Sequence, residues 1–531
     1  MAVSEIVLLA LGLLALFLVK KLFIDRTTSS TPLPPGPRGL PIVGNVNDLP
    51  APDVPEYKHW LEHKDKYGGL SSVTVLGQTM IIIHDKAIAM ELMEKRANIH
   101  SGRPYMKFGM KMCGWGDVLA LLPYNQTHRL YRKYAYQQIG SKASIMKYYT
   151  TQEAAVGHFL WRLNRDRGEH LVRHLQTEAA DVILEMVYGY AVEPHKRDPL
   201  VDTVDEAMEQ FSASAVPGKW AVDMLSFLEY LPEWVPGTGF KRTARLWKQT
   251  LMSVVDDPYV FVTSQMASGK GRPSFVSRSI EQARTEKALG AEEEHAIKWS
   301  AASLYTGGAD TSVTTMDAFF LAMSMFPEVQ RKAQAEIDRV VGTSRLPTFS
   351  DRKDLPYVNA IVEEAQRWHP IAPMGLPHAA ETEDFIDGYR IPKGALLLPV
   401  IWWFTRDPAV YHDAETFKPE RFSEPYNEPP ATTVTFGFGR RVCPGKALAD
   451  SSLYLTFAQS LAVFDIRKAL DAEGQEIEPE HTFGNGIIAK PAPFGVRATP
   501  RSSAHADLIE GVVKEHPWGE GDAKYLKGMK T

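Results

Sequence analysis

The chain has 531 residues, with 59 lysines and arginines against 64 aspartates and glutamates, for a formal charge of −5. That near-balance excludes a protein built to coat nucleic acid, which needs a clear basic excess. Apolar residues at 44% and charged residues at 23% exclude wholesale disorder, and two cysteines exclude both a disulfide-stapled scaffold and a structural zinc ribbon.

Residues 6–19 read IVLLALGLLALFLV, without a polar side chain. A helix over residues 2–24 would reach about 34 Å, enough for a bilayer core of roughly 30 Å. A cleaved signal peptide fits less well. Glu5 stands before the apolar run in place of a positive cluster, and Lys20-Lys21 follows it in place of a small-x-small cleavage site. The sequence therefore predicts a retained membrane anchor over residues 1–26. Lys20, Lys21 and Arg26 on its carboxyl side put the remaining chain in the cytosol. The low cysteine count agrees with that reducing side, and the sequon Asn125-Gln126-Thr127 then reads as chance. Residues 27–45 form a linker. It runs TTSST and then PLPPGPRGLPIVGN, with four prolines between Pro32 and Pro37, which favours stiff, extended backbone.

From residue 46 to residue 500 no second linker, repeat or low-complexity stretch appears, and residues 501–531 read as a tail. The periodicity predicts a single large, mainly helical domain with a small β-sheet region. Strand-like runs occur at 70–84 and 389–401, the second broken by a Pro-Lys-Gly turn. Apolar residues at three-to-four spacing predict helices at 144–164 and 179–190. Another opens on Pro327 and closes at Gly342. A long helical pattern covers residues 293–323 and contains Thr306-Gly307-Gly308-Ala309-Asp310-Thr311. Mid-helix glycines cost about 1 kcal/mol each relative to alanine. They are tolerated where something must approach the backbone or where the helix must bend. Asp310 and Thr311 could relay protons or hold a small ligand; taken alone, the stretch is more simply a helix break with polar caps. The helical segment 357–368 carries Glu364 and Arg367 at i,i+3, by itself a weak surface pair.

Residues 436–445 read FGFGRRVCPG, followed by a helical pattern. Cys443 thus sits on a tight, glycine-bearing loop at the amino end of a helix. Free N–H groups and the helix dipole there lower a thiol's pKa. A thiolate so placed is a nucleophile or a metal ligand, and the bland alternative is a buried, inert cysteine. Phe436-x-x-Gly439-x-Arg441-x-Cys443-x-Gly445 resembles, position for position, the haem-binding signature of the cytochrome P-450 family. Glu364-Ala365-Gln366-Arg367 resembles the family's ExxR, and Pro419-Glu420-Arg421-Phe422 its partner motif. Residues 306–311 are similar to its (Ala/Gly)-Gly-x-(Asp/Glu)-Thr oxygen-activation motif.

The resemblance implies haem b with Cys443 as the axial ligand. It implies that Thr311 stabilises bound dioxygen and that Asp310 feeds protons through water. Glu364, Arg367 and Arg421 would form a buried ion-pair cluster behind the haem that seats the cysteine loop. Arg132, His378 and Arg441 would meet the propionates. One departure stands out: the family often has Trp four residues before the first of these arginines, where this chain has His128. The implied reaction is monooxygenation of a lipophilic small molecule, since the chain is similar to fungal microsomal members of secondary metabolism. A terpenoid is the first expectation, a polyketide or indole compound the second. Pocket walls are expected near residues 108–115, 211–222 and 483–488 and at Leu304 and Met374, with Met110 and Met112 as adaptable lining. No P-loop and no GxGxxG after a strand occur, so two electrons must come from outside. The implied partner is a membrane-bound, NADPH-dependent flavoprotein reductase, with Arg129, Lys133, Arg440 and Lys446 as a basic docking face. The implied location is the endoplasmic reticulum membrane, single-pass, with the catalytic domain facing the cytosol. Two competing classes remain: a haem-thiolate isomerase or dehydratase that needs no reductase, and a non-enzymatic haem sensor or carrier. Asp310 and Thr311 argue against the isomerase, which needs no proton relay to dioxygen.

Overall fold

The computed structural model describes residue 12 and residues 31–526, apart from 52–53, 217–218 and 287–288. The predicted anchor, residues 1–26, lies outside the described residues but for residue 12. Among the described residues, no helix is long and apolar enough to cross a membrane.

The chain divides into two compact units. The smaller gathers residues 1–51, 58–104 and 377–399, and the larger residues 52–57, 105–376 and 400–531. The smaller is a sheet unit and the larger a helical unit. The sheet unit is gathered by strand pairing across a long stretch of sequence, which periodicity does not report.

Helix α1 (Glu56–Tyr67), which belongs to the sheet unit from Lys58 onward, is followed by β1 (Leu70–Val75) and β2 (Gln78–Ile83). These form an antiparallel hairpin whose turn residues, Leu76 and Gly77, have φ of 48° and 88°. Far downstream come β3 (His378–Ala379), β4 (Asp384–Ile386), β5 (Tyr389–Ile391) and β6 (Leu396–Pro399). Strand β6 lies parallel to β2 and antiparallel to β3, while β4 and β5 form their own hairpin. Met80–Ile83 and Leu396–Pro399 are buried throughout, so these runs read as continuous apolar segments rather than alternating ones. The proline-rich segment lies against β1. Ser72 donates from N to Pro35 O at 2.9 Å and from Oγ to Pro34 O at 2.6 Å.

The chief helices of the larger unit are α2 (Gln126–Ile139), α3 (Tyr149–Asp166), α4 (Leu171–Tyr188), α5 (Pro199–Ser214), α6 (Phe240–Ala267), α7 (Ala291–Ala309), α8 (Thr311–Met325), α9 (Pro327–Val340), α10 (Pro356–Trp368) and α11 (Lys446–Val463). Strands β7 (Phe464–Lys468) and β8 (Val496–Pro500) pair antiparallel, and α12 (Ser503–Glu515) closes the series. Helices α8 and α11 are buried almost all round, and Phe319 stacks on Phe457 between them at 3.8 Å. A helix without a polar face belongs at the centre of a core.

The predicted helix at 144–164 breaks in two: a short helix, Lys142–Met146, opened by the Ser141–Ser144 capping box, and α3, with Tyr148 at φ −109° and ψ 9° between them. The helix expected at 179–190 begins earlier, at Leu171, and stops where Gly189 turns to φ 62°. The pattern over 293–323 splits at Asp310 into α7 and α8. The tail is a packed element: Ile509 and Val512 are buried, Val512 contacts the α3 backbone at Gly157, and Trp518 stacks on His158 at 3.7 Å. Asn125 has a local task that its sequon hid. Its side chain caps α2, accepting from His128 N at 2.9 Å.

Candidate active site

The cysteine loop is built by its backbone. Phe438 enters extended, Gly439–Arg441 makes one turn of 3-10 helix, and Gly445 leads into α11. Gly437 and Gly439 stand at φ 78° and 51°, where a β-carbon is strained. Cys443 N donates to Phe436 O at 2.9 Å and closes the loop. The Cys443 side chain is exposed, yet burial among protein groups pushes its thiol pKa up. Both hold together where protein groups crowd a side chain that still keeps accessible surface. The N–H groups of Gly445 and Lys446 and the charges of Arg132 and Lys446 oppose that rise without cancelling it. The expected lowering is therefore corrected: desolvation outweighs the helix terminus. A metal cation at Sγ would supply the missing counter-charge, since a coordinated thiol is deprotonated outright. Cys113 is the inert counterpart, fully buried, with its thiol pushed up to about 12 by burial and by Asp223.

Arg132 donates from Nη1 to Val442 O, one residue before the cysteine. Arg441 donates from Nη2 to Leu122 O at 2.8 Å. Both guanidiniums thus border the loop. His378 lies in the sheet unit, buried, with Nδ1 donating to His100 O at 2.8 Å. Arg129 and Arg440 lie over the Tyr124 ring at 5.1 and 5.0 Å, and Lys446 over Phe436 at 5.4 Å.

Glu364, Arg367 and Arg421 come together with no exposure at all. Arg367 donates to Glu364 from Nε at 2.7 Å and from Nη2 at 2.9 Å, and Arg421 Nε donates to it at 3.0 Å. Lys418 N adds a fourth bond at 2.7 Å. One carboxylate leaves two buried guanidiniums short by one charge. Glu428 supplies it, accepting from Arg421 Nη1 at 2.6 Å and from His412 N at 2.9 Å. Sequence reasoning missed Glu428, although charge counting within the buried cluster calls for a second acid.

The break at Asp310 separates two jobs within the glycine pair. A β-carbon at Gly307 would meet nothing within 4 Å, whereas one at Gly308 would fall 2.9 Å from Ile183 Cδ1 and Cγ1 of α4. The first glycine leaves backbone open, and the second lets two helices close. Thr311 Oγ1 donates to Gly307 O at 2.8 Å, which satisfies a carbonyl freed near the break. Asp310 is buried, and its Oδ1 lies 2.8 Å from Lys490 Nζ. Neither Asp310 oxygen has a well-directed hydrogen bond, so the contact is an ion pair. Lys490 also escaped the sequence reading; the available signal was one cation in an otherwise uncharged stretch, GNGIIAKPAPF. Of the expected pocket walls, Phe108, Met110, Trp115, Phe211, Leu304, Met374 and Phe483 are all buried, and Phe108 stacks on Trp220 at 3.6 Å.

A mainly helical body with an exposed cysteine on a glycine-shaped loop, bordered by two arginines of a kind that suits planar carboxylates, fits a haem-thiolate enzyme. The chain belongs to the cytochrome P450 family, whose sequence model matches residues 34–497. It is 45% identical over 502 residues to the cytochrome P450 monooxygenase CLM2 of Gibberella zeae, covering 93% of this chain and 94% of that one. It is 44% identical over 520 residues to the monooxygenase claR of Ampulloclitocybe clavipes, covering 97% and 95%. It is 43% identical over 518 residues to the multifunctional monooxygenase af510 of Aspergillus fumigatus, covering 96% of each. The chain is a cytochrome P450 monooxygenase, and the family carries a haem whose iron takes a cysteine thiolate.

Proposed function

We propose that this enzyme inserts one oxygen atom from O2 into a lipophilic small molecule, a terpenoid before a polyketide or indole compound. The observation that carries the reading is Cys443, exposed on a glycine-shaped loop yet surrounded by protein. Its Sγ would hold the haem iron, with Phe436, Gly439 and Gly445 shaping the loop around it. Arg132, Arg441 and His378 would hold the propionates. When bound, the haem would supply oxygen activation, to which a thiolate ligand contributes electron density. Two electrons and two protons balance the reaction, the second oxygen atom leaving as water. The electrons come from NADPH through a flavoprotein reductase, drawn to Arg129, Lys133, Arg440 and Lys446.

This chain's own residues handle the protons. Thr311 holds its hydroxyl proton on Gly307 O, and rotation about its side-chain torsion turns that proton toward the open backbone. Asp310 accepts and releases a proton at the carboxylate oxygen that Lys490 leaves free. Glu364, Arg367, Arg421 and Glu428 keep the segment after α10 rigid beneath the loop. The buried aromatic and methionine side chains at 108–115 and 211–222, with Leu304 and Met374, form dry, apolar walls. Residues 1–26 anchor the enzyme in the endoplasmic reticulum membrane, with residues 46–500 as the catalytic domain on the cytosolic side.

Yeast microsomes carrying the chain and its reductase, given NADPH and a terpene panel, are expected to yield oxygenated products by mass spectrometry. The reduced, carbon-monoxide-treated protein is expected to show the red-shifted Soret band of thiolate ligation, lost in Cys443→Ser. An unshifted band, or turnover by Cys443→Ser, overturns the assignment of the ligand. Turnover with hydroperoxides alone, never with reductase and NADPH, favours the isomerase instead.

A further inference from the structure

The end of the chain reaches back across the larger unit. Helix α12 is anchored on α3: Val512 lies against Gly157, Trp161 Nε1 donates to Glu510 Oε2 at 3.2 Å, and His158 Nε2 donates to His516 O at 2.8 Å. Residues 516–522 then run in neither helix nor strand. Trp518 stacks on the His158 ring at 3.7 Å, with the Arg162 guanidinium 4.8 Å from its own ring and His195 edge-on at 5.2 Å. His195 belongs to the loop 189–198, which enters α5.

Asp522 joins that loop to a second one. Its N donates to Ala191 O at 3.0 Å, and its Oδ2 accepts from Ala191 N at 2.8 Å and from Arg272 Nη2. Arg272 belongs to the segment 268–274, which leaves α6. The two loops abut: a β-carbon on Gly189 would stand 3.0 Å from Arg272 Cβ. The fit is as close at Gly521, where a β-carbon would fall 2.5 Å from Glu193 Cδ. Beyond it Ala523 is buried, the Tyr525 ring lies 6.4 Å from Phe261 of α6, and Leu526 packs on the core. Arg272 keeps 42% side-chain exposure, so its pair with Asp522 sits at the surface. A segment outside regular structure and held by surface bonds opens at lower cost than the helices it joins.

The stretch from the start of α5 to the end of α6 is thus tied at both of its roots by one short segment. Away from those roots it meets the apolar wall. Phe211 of α5 lies 4.8 Å from Trp115, and Trp247 of α6 lies edge-on to Phe108 at 5.7 Å. Phe211 stands about 18 Å along α5, so a tilt of about 7° at the root moves it about 2 Å. We propose that residues 516–526 are a strap that holds the two roots together and limits how far the wall parts to admit substrate, with Asp522 as the latch. The strap acts at a distance from the wall, so its release changes the rates of entry and exit rather than the contacts that hold the ligand. This rests on the reading of the pocket walls given above and goes beyond it in naming what restrains them.

The test uses the full-length holoenzyme and compares wild type, Asp522→Ala, Asp522→Asn, a chain ending at Glu515 and, as a control on the wall, Phe108→Ala. Amide hydrogen exchange is followed at 189–198 and 268–274, which needs no turnover. Stopped-flow absorbance follows clotrimazole, a bulky lipophilic azole, as it enters and leaves. Asp522→Ala is expected to exchange about 10-fold faster at both loops, the effect of losing one charge-assisted hydrogen bond. Asp522→Asn, which keeps an acceptor for Ala191 N, is expected to fall between. Clotrimazole should enter and leave faster in Asp522→Ala and in the shortened chain, with its dissociation constant nearly unchanged. If Phe108→Ala weakens clotrimazole binding while Asp522→Ala and the shortened chain load at the wild-type rate, the strap falls and the reading of the wall stands. If Phe108→Ala leaves the affinity unchanged, both fall. Should the shortened chain not fold, Asp522→Ala still decides, because wild-type exchange at both loops, or a wild-type rate of entry, refutes the latch.

Discussion

The two neighbouring glycines of α7 should answer the same substitution in opposite directions. In a helix interior, alanine is favoured over glycine by about 1 kcal/mol. At Gly307 nothing lies within 4 Å of the new methyl, so Gly307→Ala should stabilise the fold by about that amount. At Gly308 the methyl would fall 2.9 Å from two carbons of Ile183, which is 1% exposed and has no room to withdraw. Overpacking a core site costs about 1–3 kcal/mol, so Gly308→Ala should range from neutral to about 2 kcal/mol destabilising. Urea unfolding of both variants measures the difference. Repeating Gly308→Ala in an Ile183→Ala background removes both crowding atoms, and there the alanine should become stabilising. The reasoning is refuted if both alanines stabilise equally in the parent, or if the cycle shows coupling below about 0.5 kcal/mol. Gly307→Ala carries a second consequence. Its methyl occupies open backbone near Thr311, so lipophilic ligands should bind more weakly, read by the ligand-induced Soret shift, even as stability rises.

Glu364→Gln should be costly. It removes the carboxylate charge that four donors share and leaves Arg367, whose other acceptors are the carbonyls of Thr405 at 2.9 Å and Thr416 at 3.3 Å, without its anionic partner. Breaking a buried pair costs about 3–5 kcal/mol, so the midpoint of urea unfolding should fall sharply, and a loss below about 1 kcal/mol would contradict the cluster's role. Asp317 gives a pH dependence of definite sign. Its folded pKa is raised from 3.8 to about 7, so the native state holds a proton that the unfolded chain has lost, and stability declines as pH rises between those values. From pH 5 to pH 8 the decline is about 3 kcal/mol. Asp317→Asn cannot ionise, so its stability relative to wild type should improve over that interval. A flat difference between the two proteins would show that the carboxyl is not buried as described.

Much of the site was legible because its residues are contiguous. The loop from Phe436 to Gly445, the i,i+3 pair Glu364–Arg367 and the run from Gly307 to Thr311 each carry their geometry in local spacing. What escaped were the partners from elsewhere. Glu428 completes the Arg421 pair and Lys490 faces Asp310, and neither belongs to a motif. The helix break at Asp310 was half visible: two glycines announce a bend or a close approach, but only Ile183 on α4 shows that Gly308 serves the approach.

Local order along the chain was enough to establish a mainly helical body, a cysteine on a glycine-shaped loop and a carboxylate-hydroxyl pair beside mid-helix glycines. Periodicity, capping and backbone preference act over a few residues, and a sequence displays such effects directly. Tertiary structure alone decided that residues 377–399 return to pair with β2, that the tail packs on α3 at Gly157, and that burial outweighs the helix terminus at Cys443. Each of these depends on which distant groups share a volume, and desolvation and charge respond to that neighbourhood rather than to the order of residues.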